Sequence, residues 1–328
     1  MSELKNSELK NQHGQTMTEL KQRLDGLADL IPPDRPILYM DYPFHRNIGD
    51  LLIMLGTLAF FEQYNLRPER CLSVVNIPAE FTAPKDAVIL CHGGGNFGDL
   101  HPKPQQVREY LVQRHPHNRI IILPQTIHFA NQARLEEVAK LFQTHEDIHF
   151  VLRDRVSYDL ASKYFSHNHL YLFPDMAHYL WPLAGGGEQK TTRGRTLVQL
   201  RRDAEASQQS EELRNETTTS FDWDDLFSAP DRVLYKALRT AARLDKGVGN
   251  SLPLWGVWQS VARGWAERAV SLFRQHDTIV TSRLHGHILA CLLSIPHELI
   301  DNSYGKNSRY FETWTKPSGL ATLRKGAV

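Results

Sequence analysis

The stretch Ala87-Val88-Ile89-Leu90-Cys91-His92, running directly into Gly93-Gly94-Gly95-Asn96-Phe97-Gly98-Asp99, decides the architecture. Its apolar run lacks the in-out alternation of a strand that faces water on one side. It therefore reads as a strand covered on both faces, as in a parallel sheet. The glycines that follow permit a tight turn and a backbone approach that side chains would block. Something lies against that turn.

Outward from this segment, the same pattern recurs at 37–42, 71–76, 119–125, 148–153 and 169–173, with amphipathic helical stretches at 50–64, 105–115, 132–142 and 156–165. Strands alternating with helices predict a doubly wound α/β unit over 37–184. Pro174-Asp175, Trp181-Pro182 and Gly185-Gly186-Gly187 then break the pattern and put a boundary near 184–195. A strand at 196–200, helices at 231–244 and 254–275, a strand at 278–282, a helix from 285, a strand at 297–300 and a last helix past Tyr304 predict a second unit over 185–328. The expected fold class is α/β, with two Rossmann-like domains facing a cleft and ligands at the carboxyl ends of the strands. The polar segment 201–219, poor in aromatics, reads as a flexible loop, either a lid or an insertion. Residues 1–36 read as an N-terminal tail and helix. The near-duplication of Ser2-Glu3-Leu4-Lys5-Asn6 at Ser7-Glu8-Leu9-Lys10-Asn11 is too short for a structural repeat and suits a solvated, partly helical tail.

The chain's 328 residues suffice for two such domains. Lys+Arg 38 against Asp+Glu 37 gives a net charge of +1, so no global imbalance attracts nucleic acid or an anionic membrane, and any anion must be bound locally. Cys71, Cys91 and Cys291 lack metal or redox spacing and read as reduced core residues. No run approaches the ~20 apolar residues that span a bilayer, and the polar start lacks the core of a signal peptide. A cytoplasmic protein is expected.

Candidate chemistry sits at the strand ends. Asn47-Ile48-Gly49-Asp50 follows the first strand and opens a helix, where free amides favour an anion or a polar sugar group; Asp50 equally suits a helix cap. Gln125 in Pro124-Gln125-Thr126, the pair Arg153-Asp154, and Asp175 and His178 in Pro174-Asp175-Met176-Ala177-His178 share one sheet edge and are expected to converge. Arg153 equally suits a structural ion pair, and His178 a structural histidine. The most informative segment is Thr278-Ile279-Val280-Thr281-Ser282-Arg283-Leu284-His285-Gly286-His287, an apolar strand that delivers Arg283 and His285 to its carboxyl end. A guanidinium beside an imidazole suits an acidic substrate that must gain or lose a proton. Gly286 allows close packing there, and His287, one turn on, packs.

Together, Asn47-Ile48-Gly49-Asp50, Gly93-Gly94-Gly95-Asn96, Pro124-Gln125-Thr126, Arg153-Asp154 with Ser157, Pro174-Asp175 and Ser282-Arg283-Leu284-His285-Gly286 resemble the polysaccharide pyruvyl transferase family, in order and spacing, from about residue 37 to 315. Asp301-Asn302-Ser303-Tyr304-Gly305-Lys306, preceding Trp314, is similar to the family's bacterial exopolysaccharide members. The resemblance implies a two-domain fold like the GT-B glycosyltransferases. It implies transfer of the pyruvyl group of phosphoenolpyruvate to two hydroxyls of a sugar, as a ketal, in the synthesis of exopolysaccharide such as a biofilm matrix. Phosphoenolpyruvate is then a co-substrate, with no metal or other cofactor. Arg153, Arg283, His285 and Gly286 are assigned to the donor, with His285 moving a proton beside Arg283. Asn47, Asp50, Gly94, Gly95, Asn96, Asp99, Gln125, Asp175 and His178 are assigned to a sugar or lipid-linked oligosaccharide acceptor. The first domain becomes the acceptor side and the second the donor side. A lipid-linked acceptor would bring the protein to the cytoplasmic face of the inner membrane, among polysaccharide assembly enzymes. Trp255, Trp258 and Trp265 offer a contact, although tryptophans at such helical spacing more often form a core. The rival readings are a nucleotide-sugar glycosyltransferase and a non-catalytic sugar-binding subunit.

Overall fold

In the computed structural model, residues 2–183, 194–217, 219–247 and 251–324 are described. The first half runs α1 (Ser2–Asp25), β1 (Ile37–Met40), α2 (Ile48–Gln63), β2 (Arg70–Leu72), β3 (Val88–Cys91), β4 (Gly94–Gly98), α3 (Pro102–Arg114), β5 (Arg119–His128), α4 (Gln132–Phe142), β6 (Ile148–Leu152), α5 (Arg155–Tyr164) and β7 (His169–Leu172). The order across the sheet is β2-β1-β3-β5-β6-β7, with β4 also beside β5, and every pairing is parallel. β1, β3 and β6 are buried along their whole length, as strands covered on both faces must be.

The second half runs β8 (Thr196–Gln199), α6 (Gln208–Glu216), α7 (Ala229–Gly247), α8 (Leu254–Arg274), β9 (Thr278–Thr281), α9 (Leu284–Leu292), β10 (His297–Leu299), α10 (Lys306–Tyr310) and β11 (Ala321–Leu323). Its four strands lie in the order β11-β10-β9-β8, again all parallel. A mixed α/β fold with two parallel sheets results. One apolar core joins the two halves, with Leu51, Met54 and Phe60 of α2, Trp258 and Trp265 of α8, and Ile288 and Leu292 of α9 in a single cluster. The expected boundary at 184–195 falls largely outside the described residues.

Two expectations need correction. The glycine run is a strand rather than a turn: β5 extends past the end of β3, and β4 pairs with the overhang. Gly98 closes it at φ 143°, where a Cβ would lie 1.7 Å from the His128 carbonyl oxygen. The 201–219 segment is not simply a loop, because Ser207 caps α6 by accepting from the Ser210 amide and the Ser210 hydroxyl donates to Ser282 Oγ. The N-terminal segment is helical from Ser2, and residues 7–11 are exposed or half-buried, as a solvated, partly helical tail would be, but the helix continues into the core. Met17, Leu20 and Leu24 of α1 recur at helical spacing and are buried, and His13 Nε2 lies 2.9 Å from the Cys291 carbonyl oxygen. Trp258 and Trp265 are core residues, as their helical spacing suggests, and half-buried Trp255 packs on Tyr42.

Candidate functional site

The carboxyl ends of both sheets contribute walls to one cavity of about 630 Å³. Its chemistry is organised by Asp175, which is fully buried just beyond β7. One carboxylate oxygen accepts from the Ala177 amide at 2.9 Å. The other accepts from Arg153 Nη1 at 2.5 Å and lies 3.4 Å from His285 Nε2. Burial alone would push this carboxyl up. The charge and hydrogen bond of His285, the Arg153 guanidinium and the Ala177 amide outweigh burial and hold it well below the usual carboxylate range.

Arg153 leaves the end of β6 and is only 1% exposed. Its Nε donates to Thr126 Oγ1 at 2.8 Å, and the Thr126 hydroxyl donates to Asp154 Oδ2 at 3.0 Å. Asp154 also caps α5 through the Ser157 amide. Gly95 lets the guanidinium pass, since a Cβ there would sit 3.0 Å from Arg153 Nη2. His285 stands in the first turn of α9 and lies flat on the first turn of α2, where a Cβ on Gly49 would be 2.7 Å from its Nδ1. The cap of α2 is Asn47, whose Oδ1 accepts from the Gly49 amide. Asp50 is thereby freed from capping and held by Asn47 Nδ2 at 2.9 Å, with His45 at 3.6 Å. Burial opposes its charge, but His45, His285, His92 and Arg153 together lower its pKa.

The opposite wall carries a charged chain that the sequence reading left without a role. Arg201 pairs with Asp203 and Glu205, both at 2.7 Å, and Lys306 Nζ pairs with Glu205 at 2.7 Å. Burial pulls the Lys306 ammonium down to about 8, against the opposing effect of Glu205. Arg283 is tied to Asp222 through Nε (2.8 Å) and Nη2 (2.5 Å) and to Asp203 through Nη1 (2.9 Å). Arg201 and Asp203 follow β8 at a strand end, the same signal that marked Arg153. Assigning 201–219 to a loop concealed it.

Of the residues picked from sequence, Asn47, Asp50, Gly95, Asn96, Arg153, Arg283 and His285 line the cavity, and Asp175 supports it from behind. Five others do not line it. Asp99 accepts from the amides of Ala130 and Asn131 ahead of α4. Gln125 lies within β5 rather than at its end, and its amide donates to Asn96 Oδ1 at 2.7 Å. His178 is fully buried and stacks on Tyr310. Gly94 faces Ile53 of α2, and a Cβ on Gly286 would meet Gln199 Oε1 at 2.0 Å, so Gly286 serves packing. His287 does pack: with Cys291 and His297 it forms a buried group whose ligand atoms lie within 4.8 Å. Hydrogen bonds link His297 to the Ile295 carbonyl and to His287, and His287 to Thr315.

The buried histidines set an acid limit on stability. Burial lowers His92 to about 3 and His178 and His297 to about 4, whereas it raises Asp41 to about 6. Near pH 5 the unfolded chain binds protons on these three histidines, and on the fully buried His287, that the folded one refuses, while folded Asp41 holds one that the unfolded chain releases. Unfolding then takes up protons on balance, and stability is expected to fall on acidification from about pH 6 towards 4. Urea midpoints at pH 7 and pH 5 check this; equal midpoints would refute it.

The sequence profile of the polysaccharide pyruvyl transferase family matches residues 47–304. EpsO of Bacillus subtilis, named as a candidate pyruvyl transferase, is 41% identical over 299 residues, covering 91% of each chain. Pyruvyl transferase 1 of Schizosaccharomyces pombe is 29% identical over 297 residues, covering 85% of this chain and 70% of its own. The crystal structure of a functionally uncharacterised Klebsiella pneumoniae protein superposes with a TM-score of 0.61 at 18% identity, over 94% of this chain and 99% of that one, a likeness of fold alone. Since the profile spans most of both sheets and nearly all of the cavity wall, the chain belongs to the polysaccharide pyruvyl transferase family.

Proposed function

We propose that the cavity transfers the pyruvyl group of phosphoenolpyruvate to two hydroxyls of one sugar in an exopolysaccharide precursor, releasing phosphate and leaving a ketal. The observation that carries this reading is that Arg153 and His285, from opposite sheets, share the buried Asp175 carboxylate at the cavity wall. The two sheets are read as two domains, 37–184 and 185–328, closing on the ligand in the GT-B manner.

The donor carries a carboxylate and a phosphate. Arg153, Arg201 and Lys306 supply cationic N–H groups for them. Arg283 spends three of its five N–H groups on Asp222 and Asp203, which fixes the guanidinium and leaves one N–H on each Nη atom for an anion. His285 gives a proton to the enol methylene, making the donor's C2 an oxocarbenium centre. One sugar hydroxyl bonds to C2 and loses its proton. The C2–O bond to phosphate breaks, and the second hydroxyl bonds to the renewed cation and loses its proton. Asp50, ionised and facing the cavity, is placed to accept one of these protons. A cytoplasmic reaction fits the donor and the three free cysteines.

The test is phosphate release by the purified protein from phosphoenolpyruvate with a sugar acceptor, run beside UDP- and GDP-sugars. Glycosyl transfer without consumption of phosphoenolpyruvate would decide for a glycosyltransferase. Arg283→Lys is expected to raise the KM for phosphoenolpyruvate by about tenfold, the cost of one charge-assisted contact, because an ammonium cannot hold Asp222 in two-pronged fashion and still reach the donor. An unchanged KM would remove Arg283 from the donor site.

A further inference from the structure

We infer that α7 and Arg46 form a docking face for an anionic bilayer, beside the mouth of the reaction cavity. Helix α7 carries Arg232, Lys236, Arg239, Arg243 and Lys246, spaced four, three, four and three residues apart. At 3.6 residues per turn this spacing gathers five cations into an arc of about 80°. The helix's acidic residues point inward. Asp231 is buried on Trp265 Nε1 (3.0 Å) and Arg268, and Asp245 is buried under the amides of Ser251 (2.8 Å) and Leu252 (3.0 Å). Among the described residues only Arg232 of the five has a carboxylate within reach, Asp224 at 2.9 Å.

Arg232, Lys236, Arg239 and Arg243 of this stripe wall a groove of about 560 Å³ that is closed by Arg46, and among the described residues no carboxylate lines it. Within it, Arg46 Nη1 and Arg239 Nε are buried donors without a partner. Crowded guanidinium groups with unmet N–H bonds, Arg46 and Arg232 sharing the single carboxylate of Asp224, match a ligand rich in anionic oxygens, of which phosphate is the best fit.

The neighbouring apolar surface identifies the source of that phosphate. Of eight large apolar side chains that are exposed among the described residues, five lie between positions 233 and 257: Val233 (67%), Leu234 (41%), Leu244 (71%), Leu252 (51%) and Val257 (43%). Val233 and Leu244 project within about 20° of each other, next to the cationic arc. A free phosphate or nucleotide leaves these side chains in water. A bilayer covers them with acyl chains while presenting phosphates at the level of the cations.

The position also suits the reaction. Arg239, Arg243 and Lys246 line an adjoining groove whose wall includes Lys103, and Lys103 also lines the reaction cavity. Docking would hold the cavity mouth close to the lipid surface, where a lipid-linked acceptor is presented; this last step alone rests on the proposed function.

The test sediments the full chain, without substrates, on vesicles of phosphatidylcholine alone or of equimolar phosphatidylcholine and phosphatidylglycerol at near-physiological salt. Binding is expected only on the anionic vesicles. The triple variant Lys236→Gln, Arg239→Gln, Arg243→Gln should weaken it roughly 100-fold. Val233→Ser with Leu244→Ser should weaken it at constant charge. Phosphate release from soluble substrates should stay at the wild-type rate in both variants. Absence of binding to anionic vesicles overturns the inference, as does full retention by either variant. Displacement by inorganic diphosphate together with indifference to the serine pair would mark a free-phosphate site and overturn it as well. None of these outcomes bears on pyruvyl transfer itself, which is measured in solution.

Discussion

His285→Ala is expected to lower phosphoenolpyruvate-dependent phosphate release by about 10²–10⁴-fold, the contribution of a positioned general acid. The unfolding midpoint should hardly move. The imidazole is small, partly open to the cavity and, among the described residues, bonded only at its Nε2, so removing it leaves Asp175 with Arg153 and the Ala177 amide. His285→Gln separates two roles of the ring. The amide keeps a hydrogen bond to Asp175 but carries no transferable proton near neutral pH, so turnover should stay low while the KM for the donor recovers. A folded alanine variant that releases phosphate at near-normal rates would remove His285 from proton transfer.

Asp175→Asn should give the largest loss of stability, about 3–5 kcal/mol, because it strips a buried guanidinium of its counter-charge without changing the shape of the site. Arg153 is 1% exposed, so water in the cavity reaches too little of it to replace the lost charge. Its remaining link through Thr126 to Asp154 places the expected loss towards the lower end of that range. Urea denaturation measures it, and a midpoint equal to wild type would show that the pair is not the keystone of this wall. Activity should fall as well, since His285 loses the carboxylate that orients it.

Much of this site was legible because the apolar runs were fully buried strands. Once the sheets are parallel, residues just past the strands must share an edge, and Arg153, Arg283 and His285 line one cavity on that principle, with Asp175 behind them. The rule locates a residue but does not aim its side chain. Gln125 and His178 sit near the right edge and point elsewhere, Gln125 because β5 continues to His128 and His178 because its ring packs on Tyr310. Arg201 and Glu205 were hidden by a polar composition that reads as loop. Lys306 stands at the start of a helix only five residues long, too short to leave a periodic trace. The burial of α1 rests on a few apolar positions, Met17, Leu20 and Leu24, in an otherwise hydrophilic stretch, so its partners became visible only in three dimensions.

The backbone around the shared carboxylate is held from the far end of the chain. Tyr310 OH receives the Asp175 amide at 2.9 Å, and Trp314 Nε1 donates to the Arg153 carbonyl at 2.8 Å. A ribosome making this protein therefore delivers Arg153 and Asp175 long before the residues that brace them. The nascent first sheet can pair its strands early, but its active geometry waits for synthesis to pass Trp314. A product truncated before Tyr310 should retain helices and strands by circular dichroism and yet be inert.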